Sequence, residues 1–304
     1  MQGLVADGGG SVKVELLVDA HARLGECVLW CEQARALYWT DIDGASLHRW
    51  QATDGRTRQW AMPEPLGSFA LCARPSQLLL GLASGIALFD LDSGRFGPTI
   101  AVESEQPTTR LNDGRCDAQG RFVFGTFNPA EAAIGHFYRV DAELHVERLP
   151  LPAVAVANSI AFSPDGTRMY FTDSPTRRID CADYHADGRI GTPRLFVELG
   201  SDEGYPDGSA VDADGGLWNA QWDGGCVVRY DSHGVETTRV ELPAARPTCP
   251  AFGGEGFAQL FVSTARKGLH GDALAAQPAA GGVFVAQTAH RGRAEHRFVT
   301  GHHA

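Results

Sequence analysis

Asn158-Ser159-Ile160-Ala161-Phe162-Ser163-Pro164-Asp165-Gly166-Thr167-Arg168-Met169-Tyr170-Phe171-Thr172-Asp173 is the stretch whose reading decides the fold. Ile160 and Phe162 alternate with small or polar neighbours, the period-2 signature of a strand with one face covered. Ser163-Pro164-Asp165-Gly166 is turn chemistry, in which proline pre-sets φ and glycine accepts a positive φ. Met169, Tyr170 and Phe171 resume an apolar strand. The stretch predicts a β-hairpin, with Asn158 just ahead of its first strand.

The hairpin recurs. Arg110 to Thr126 has the same shape and turns at Asp117 to Gly120, and Pro206 to Trp218 turns at Asp214-Gly215. Val28 to Asp41 is a looser copy, and Ser68 to Gly81 and Thr248 to Thr264 complete the set. The second strands centre near Trp39, Leu79, Val123, Phe171, Trp218 and Phe261, 40 to 48 residues apart. Between them lies a second signal, a short strand running into a polar turn. Leu47-His48-Arg49-Trp50 precedes Asp54-Gly55, and Ala87-Leu88-Phe89-Asp90 precedes Ser93-Gly94. Each unit therefore holds about four short strands in roughly 45 residues, the size of a propeller blade. The fold class is all-β: a six-bladed β-propeller with four antiparallel strands per blade. Closure supplies the physical logic, because a twisted sheet alone cannot bury both faces and a ring of sheets covers them. The strand near Val14 to Val18 is expected to complete the last blade beside Val283 to Val285. Residues 13–299 are read as one propeller domain, with disordered tails at 1–12 and 300–304.

The bulk numbers narrow the function. The chain has 304 residues, 43% of them apolar, and a net charge of −11 with pI near 5.4. That balance argues against nucleic acid or an anionic membrane as partner, since both require basic surface. No apolar run is long enough to span a bilayer as a helix. The seven cysteines are scattered and form no Cys-x-x-Cys pair, which reads as reduced thiols in the cytoplasm. The expected partner is a small molecule, and the expected assembly a monomer or weak homo-oligomer.

Glu26, Asn158 and Asp207 each stand just before the first strand of a different blade. The innermost strands line the channel in the same sense, so residues at their starts converge on one mouth. Two carboxylates and an amide oxygen form an oxygen-rich, partly open site suited to one divalent ion: Ca, Mg or Mn, with Zn or Fe also compatible. Arg110 and Asn112 precede the third hairpin. A guanidinium fork and an amide suit sugar hydroxyls or a carbonyl oxygen. Asp113 belongs to the same cluster, which with Gly114 also admits a plain Asn-Asp-Gly turn. Arg177-Arg178 reads as a solvated turn, and His136 and His270 as solvated or structural. No Gly-x-Ser-x-Gly, His-Glu-x-x-His, phosphate-cradling Gly-Lys-Ser/Thr or complete EF-hand loop is present.

These residues resemble the gluconolactonase, senescence-marker-protein (regucalcin) and luciferin-regenerating-enzyme family, and within it the bacterial sugar-acid lactonases. The resemblance runs from about Val14 to Phe298. It rests on Leu24-Gly25-Glu26, Arg110-Leu111-Asn112-Asp113-Gly114, Asn158, Tyr205-Pro206-Asp207-Gly208 and Thr264-Ala265-Arg266-Lys267-Gly268-Leu269. It implies a divalent ion on Glu26, Asn158 and Asp207, substrate contacts from Arg110 and Asn112, and Asp207 as general base. Three departures stand out: Cys27-Val28 where family members often have Gly-Pro, Ser159 where glycine is usual, and Phe127 where methionine is common. The implied activity is hydrolysis of an aldonolactone, such as a pentonolactone or gluconolactone, to the sugar acid. Other readings are a non-catalytic calcium-binding protein of the regucalcin kind, or a propeller hydrolase of aryl or phosphate esters. A WD-repeat scaffold is disfavoured, since Trp222-Asp223 is the solitary Trp-Asp pair.

Overall fold

A computed structural model describes residues 12–301. The tails expected at either end lie mainly outside that span. The described residues form six four-stranded antiparallel sheets arranged as a propeller. Five blades are consecutive meanders. Blade 1, for example, runs Gly25–Cys31, Ala36–Asp41, Ser46–Gln51 and Thr57–Ala61 from the channel outwards. The sixth is assembled from both ends of the chain. Val14–Val18 pairs with Val283–Gln287, outside Gln259–Thr264 and Pro247–Gly253. The expected closure is therefore present. The single α-helix among the described residues is the short Gly271–Ala275.

The hairpin read first forms as expected, from Ala157–Phe162 and Arg168–Asp173. Ser163 Oγ donates to Asp165 Oδ1 at 2.6 Å, and Gly166 takes φ +70°. Why the inner strands lose their polar-out alternation is visible in the core. They are buried on both faces, and the apolar clusters lie between blades. Leu29, Tyr38 and Leu47 of blade 1 meet Phe69 and Leu80 of blade 2. Ile160 and Phe171 of blade 4 meet Val123 and Phe137 of blade 3. Each blade thus buries its faces only because two neighbours exist.

After its last strand the chain crosses the end of the channel where the first hairpins turn. Arg291 O accepts from Ala213 N in blade 5, and Gly292 N donates to Phe257 O in blade 6. Arg293 Nη1 donates to Pro164 O beside blade 4. Glu295 pairs with Arg115 of blade 3 at 2.7 Å, and Arg297 with Glu32 of blade 1 at 3.0 Å. Phe298, fully buried, bonds Leu71 and Ala73 of blade 2. One segment of about ten residues therefore touches all six blades and caps this end, leaving the opposite mouth for chemistry.

Candidate active site

Every inner strand carries a bulge near its start, where two residues oppose one on the next strand and the backbone re-aims its side chains. In blades 1, 3, 4 and 5 the bulge region bears Glu26, Asn112, Asn158 and Asp207. Glu26, Asn158 and Asp207 were expected just before their strands and instead lie within Gly25–Cys31, Ala157–Phe162 and Tyr205–Val211. Backbone pairing continues past them, from Gly25 to Asp41, Ala157 to Asp173 and Tyr205 to Trp222. The bulge, rather than a strand end, directs them to the channel mouth.

All five expected site residues line one cavity of about 520 Å³. Phe127, Glu131, Ser174, Tyr205, Trp222 and Lys267 complete much of its wall. A directed hydrogen-bond chain crosses its floor. Arg110 Nη1 donates to Asn112 Oδ1 at 2.7 Å, and Asn112 Nδ2 donates to Asn158 Oδ1 at 3.0 Å and Ala157 O at 2.9 Å. Asn158 Nδ2 donates to Ser174 Oγ at 2.9 Å, and Ser174 Oγ to Pro206 O at 2.7 Å. With its nitrogen so engaged, Asn158 keeps its oxygen as the ligand-type atom, with one lone pair left after Asn112.

The electrostatics are those of carboxylates short of cations. Asp207 is 5% exposed, and its Oδ1 is buried with no hydrogen-bond partner. Burial, then Glu26 and Asp113 nearby, push its carboxyl well above the usual range. Glu26 keeps an edge on the cavity, yet burial and Asp113 raise it to about 8. Burial lowers Arg110 to about 10, against the pull of Asp43, Glu26 and Asp207. An unpaired buried acceptor beside two crowded carboxylates is the environment a divalent cation relieves. The donor set Glu26, Asn158 and Asp207 is all oxygen and fits such an ion. Cys27, next to Glu26, is pushed by burial up to about 12 and is no thiolate ligand or nucleophile.

The departures from family pattern have a structural account. Cys27 sits at φ +48° and Ser159 at φ +56°, a left-handed conformation that glycine adopts without cost. Here the side chains are put to use. Cys27 Sγ lies 3.4 Å from Phe69 N, and Ser159 Oγ donates to Asp207 O at 2.5 Å. Phe127, in place of methionine, lies under Arg110, whose Cζ is 4.3 Å from the ring centre.

Residues 24–266 match the SMP-30/Gluconolactonase/LRE-like region. The chain belongs to this family. Within it, the chain is 54% identical over 286 residues to the L-arabinolactonase of Azospirillum brasilense, covering 93% of this chain and 94% of that one. It is 38% identical to the 6-deoxy-6-sulfogluconolactonase of Pseudomonas putida, covering 94% and 98%. The crystal structure of regucalcin, a calcium-binding protein from Agrobacterium tumefaciens, superposes with a TM-score of 0.90 at 32% identity, covering 95% and 98%.

Other residues in or near the site read differently in the structure or were not singled out in the sequence. Asp113 is no turn residue: it lies in strand Arg110–Cys116, and its Oδ2 accepts from Ile160 N of blade 4 at 2.8 Å. Arg177 does lie in a turn, at φ +58°, but it is half-buried rather than solvated. Its Nη1 donates to the carbonyls of Gly200, Glu203 and Gly204, and its Cζ lies 4.0 Å from the Tyr205 ring centre. Ser174, one residue past the opening hairpin, carried no signal of its own. His136 is structural, at 3.2 Å from the buried Glu103.

Proposed function

We propose that this chain hydrolyses a sugar lactone, opening an aldonolactone to its sugar acid. The carrying observation is the unpartnered Asp207 Oδ1 beside the fixed Arg110–Asn112–Asn158 relay in one cavity. The family and its curated lactonases support the same reading. Arg110 and Asn112 hold the substrate hydroxyls and carbonyl oxygen. Glu26, Asn158 and Asp207 hold one divalent cation, which supplies Lewis-acid polarisation of the lactone carbonyl when bound. Asp207 takes a proton from the attacking water, whose oxygen adds to the carbonyl carbon. The tetrahedral adduct collapses with cleavage of the ring C–O bond, and the proton passes to the departing ring oxygen. Arg110 offsets the negative charge that develops on the carbonyl oxygen.

Calcium, zinc, manganese, magnesium and iron are the ions to compare. A cytoplasmic setting accords with seven buried free thiols, and no described helix is long and apolar enough to cross a membrane. The test is aldonolactone hydrolysis before and after chelation, followed by readdition of each ion. Absence of hydrolysis under every condition refutes the reaction. Hydrolysis indifferent to chelation refutes the metal and leaves the reaction to the chain's own residues.

A further inference from the structure

The polar floor of the cavity explains how a lactone carbonyl is met, but not what holds the rest of the sugar. Tyr205 and Trp222 face each other across the first two strands of blade 5 as a directly paired couple at the cavity rim. Tyr205 is 37% exposed. Neither ring is loose. Arg177 covers one face of Tyr205 at 4.0 Å and Arg246 one face of Trp222 at 4.9 Å. Both guanidinium groups lie outside the cavity lining and are themselves tethered, Arg177 by three carbonyls and Arg246 by Asp223 at 2.6 Å. A cation fixed over one face leaves the rest of the Tyr205 ring for the cavity; Trp222, which also packs against Leu24, Ile42 and Ala265, presents part of its ring there, and both rings lose rotational freedom beforehand. Tyr205 and Trp222 line the same cavity as Asp207, so the two side chains stand beside the proposed reacting centre.

We propose that Tyr205 and Trp222 form a stacking platform for the C–H face of an aldonolactone ring, and are specificity-determining residues of the site. A sugar lactone has an apolar face of C–H groups and a rim of hydroxyls. Its rim meets Arg110 and Asn112, and its face meets immobilised aromatic carbon. Aromatic rings give large contact area at low entropy cost, so such a platform acts on binding rather than on the chemical step. This proposal rests on the lactone reading above, and its test separates the two.

Steady-state hydrolysis of a pentonolactone by Tyr205→Ala and Trp222→Ala should show KM raised about tenfold, with kcat within about threefold of wild type. Tyr205→Phe keeps the ring and should recover most of the Tyr205→Ala loss. Calorimetric titration with the corresponding aldonate reads the same platform without turnover and should show a parallel loss of affinity. Melting temperatures within a few degrees of wild type establish that the variants are folded. Unchanged KM and aldonate affinity in both alanine variants overturns the platform and leaves the reaction standing. A fall in kcat alone, or an equal loss in Tyr205→Phe, also overturns it. A wild-type chain that hydrolyses no lactone but binds aldonate in a ring-dependent way refutes the reaction and keeps the platform. One that neither hydrolyses lactone nor binds aldonate overturns both.

Discussion

Replacing Glu26 by glutamine should stabilise the metal-free protein and weaken the metal-bound one. Burial, with Asp113 close by, raises the Glu26 carboxyl from its ordinary 4.5 to about 8. A carboxyl raised on folding leaves stability intact below the unfolded value, and stability is lost as pH climbs towards and past the folded value. The window here is therefore about pH 4.5 to 8, with the metal-free chain weakening on the alkaline side. At pH 7 the unfolded chain gains roughly 2.5 pH units of ionisation that the folded carboxyl forgoes, a penalty of about 3 kcal/mol. That is an upper bound, because Glu26 keeps an edge on the cavity. Glu26→Gln has nothing to ionise, so it should be more stable than wild type by up to about 3 kcal/mol at pH 7, and by less than about 1 kcal/mol at pH 5. For a chain of this length that is a rise of several degrees in melting temperature. Saturating calcium, manganese or zinc should reverse the order, since a neutral amide binds a hard cation less well than a carboxylate. Scanning calorimetry of chelator-stripped protein at pH 5, 7 and 8.5, with and without ion, reads all of this. A metal-free Glu26→Gln variant less stable than wild type at pH 8.5, or one with an undiminished ion-induced shift, refutes the reasoning.

Asp207→Asn at saturating metal should lower lactone hydrolysis by about 10²- to 10⁴-fold, because it removes the proposed base. Glu26→Gln should recover most of its activity under the same conditions, and a matched pair of metal titrations separates ligand from base. Ser159→Ala should cost about 1 kcal/mol in urea unfolding for its lost bond to Asp207 O, while Ser159→Gly, relieved of the φ +56° strain, should lie closer to wild type. Glu295→Ala should cost about 3 kcal/mol in the same assay, since it leaves Arg115, 8% exposed at the side chain, buried without its carboxylate.

The fold was legible because its signal is repeated. Trp39, Leu79, Val123, Phe171, Trp218 and Phe261 all fall within second strands of their blades, and a period seen six times outweighs any single ambiguous strand. Glu26, Arg110, Asn112, Asn158 and Asp207 were legible as one group because equivalent positions in a ring converge, and the structure does bring them to one cavity. What the sequence concealed is local. A bulge adds a residue without changing composition, so placing these side chains ahead of their strands rather than within them was the natural error. Asp113 in Asn-Asp-Gly resembles a turn because the same residue types serve turns and bulges. Ser174, just past a strand, and Tyr205 and Trp222, at strand ends, carry no mark of their own until the partner strand and the next blade are in view.

The bulges also explain why this mouth is rigid enough for chemistry. Each one is tied to the next blade around the ring. Cys27 Sγ meets the backbone of Phe69 in blade 2. Gly67 there comes so close to Leu111 O of blade 3 that an added Cβ would lie 2.4 Å away. Asp113 accepts from Ile160 N in blade 4, and Ser159 donates to Asp207 O in blade 5. Gly208 abuts Thr248 O of blade 6, where a Cβ would lie at 2.8 Å, and Thr248 Oγ1 donates to Gly25 O of blade 1 at 2.5 Å. The six contacts close a circuit at the height of the cavity floor. Four links use a side chain and two use a glycine that lets backbones touch, so the strained φ at Cys27 and Ser159 is offset by the links their side chains make. The proposed ligand set, carried on three separate blades, is kept in register between blades by that circuit. Asn219 Nδ2 of blade 5 also holds Asp207 O, at 3.1 Å, so disruption of a single link, as in Ser159→Ala, should loosen Asp207 relative to Asn158 rather than release it, and leave the blades themselves folded.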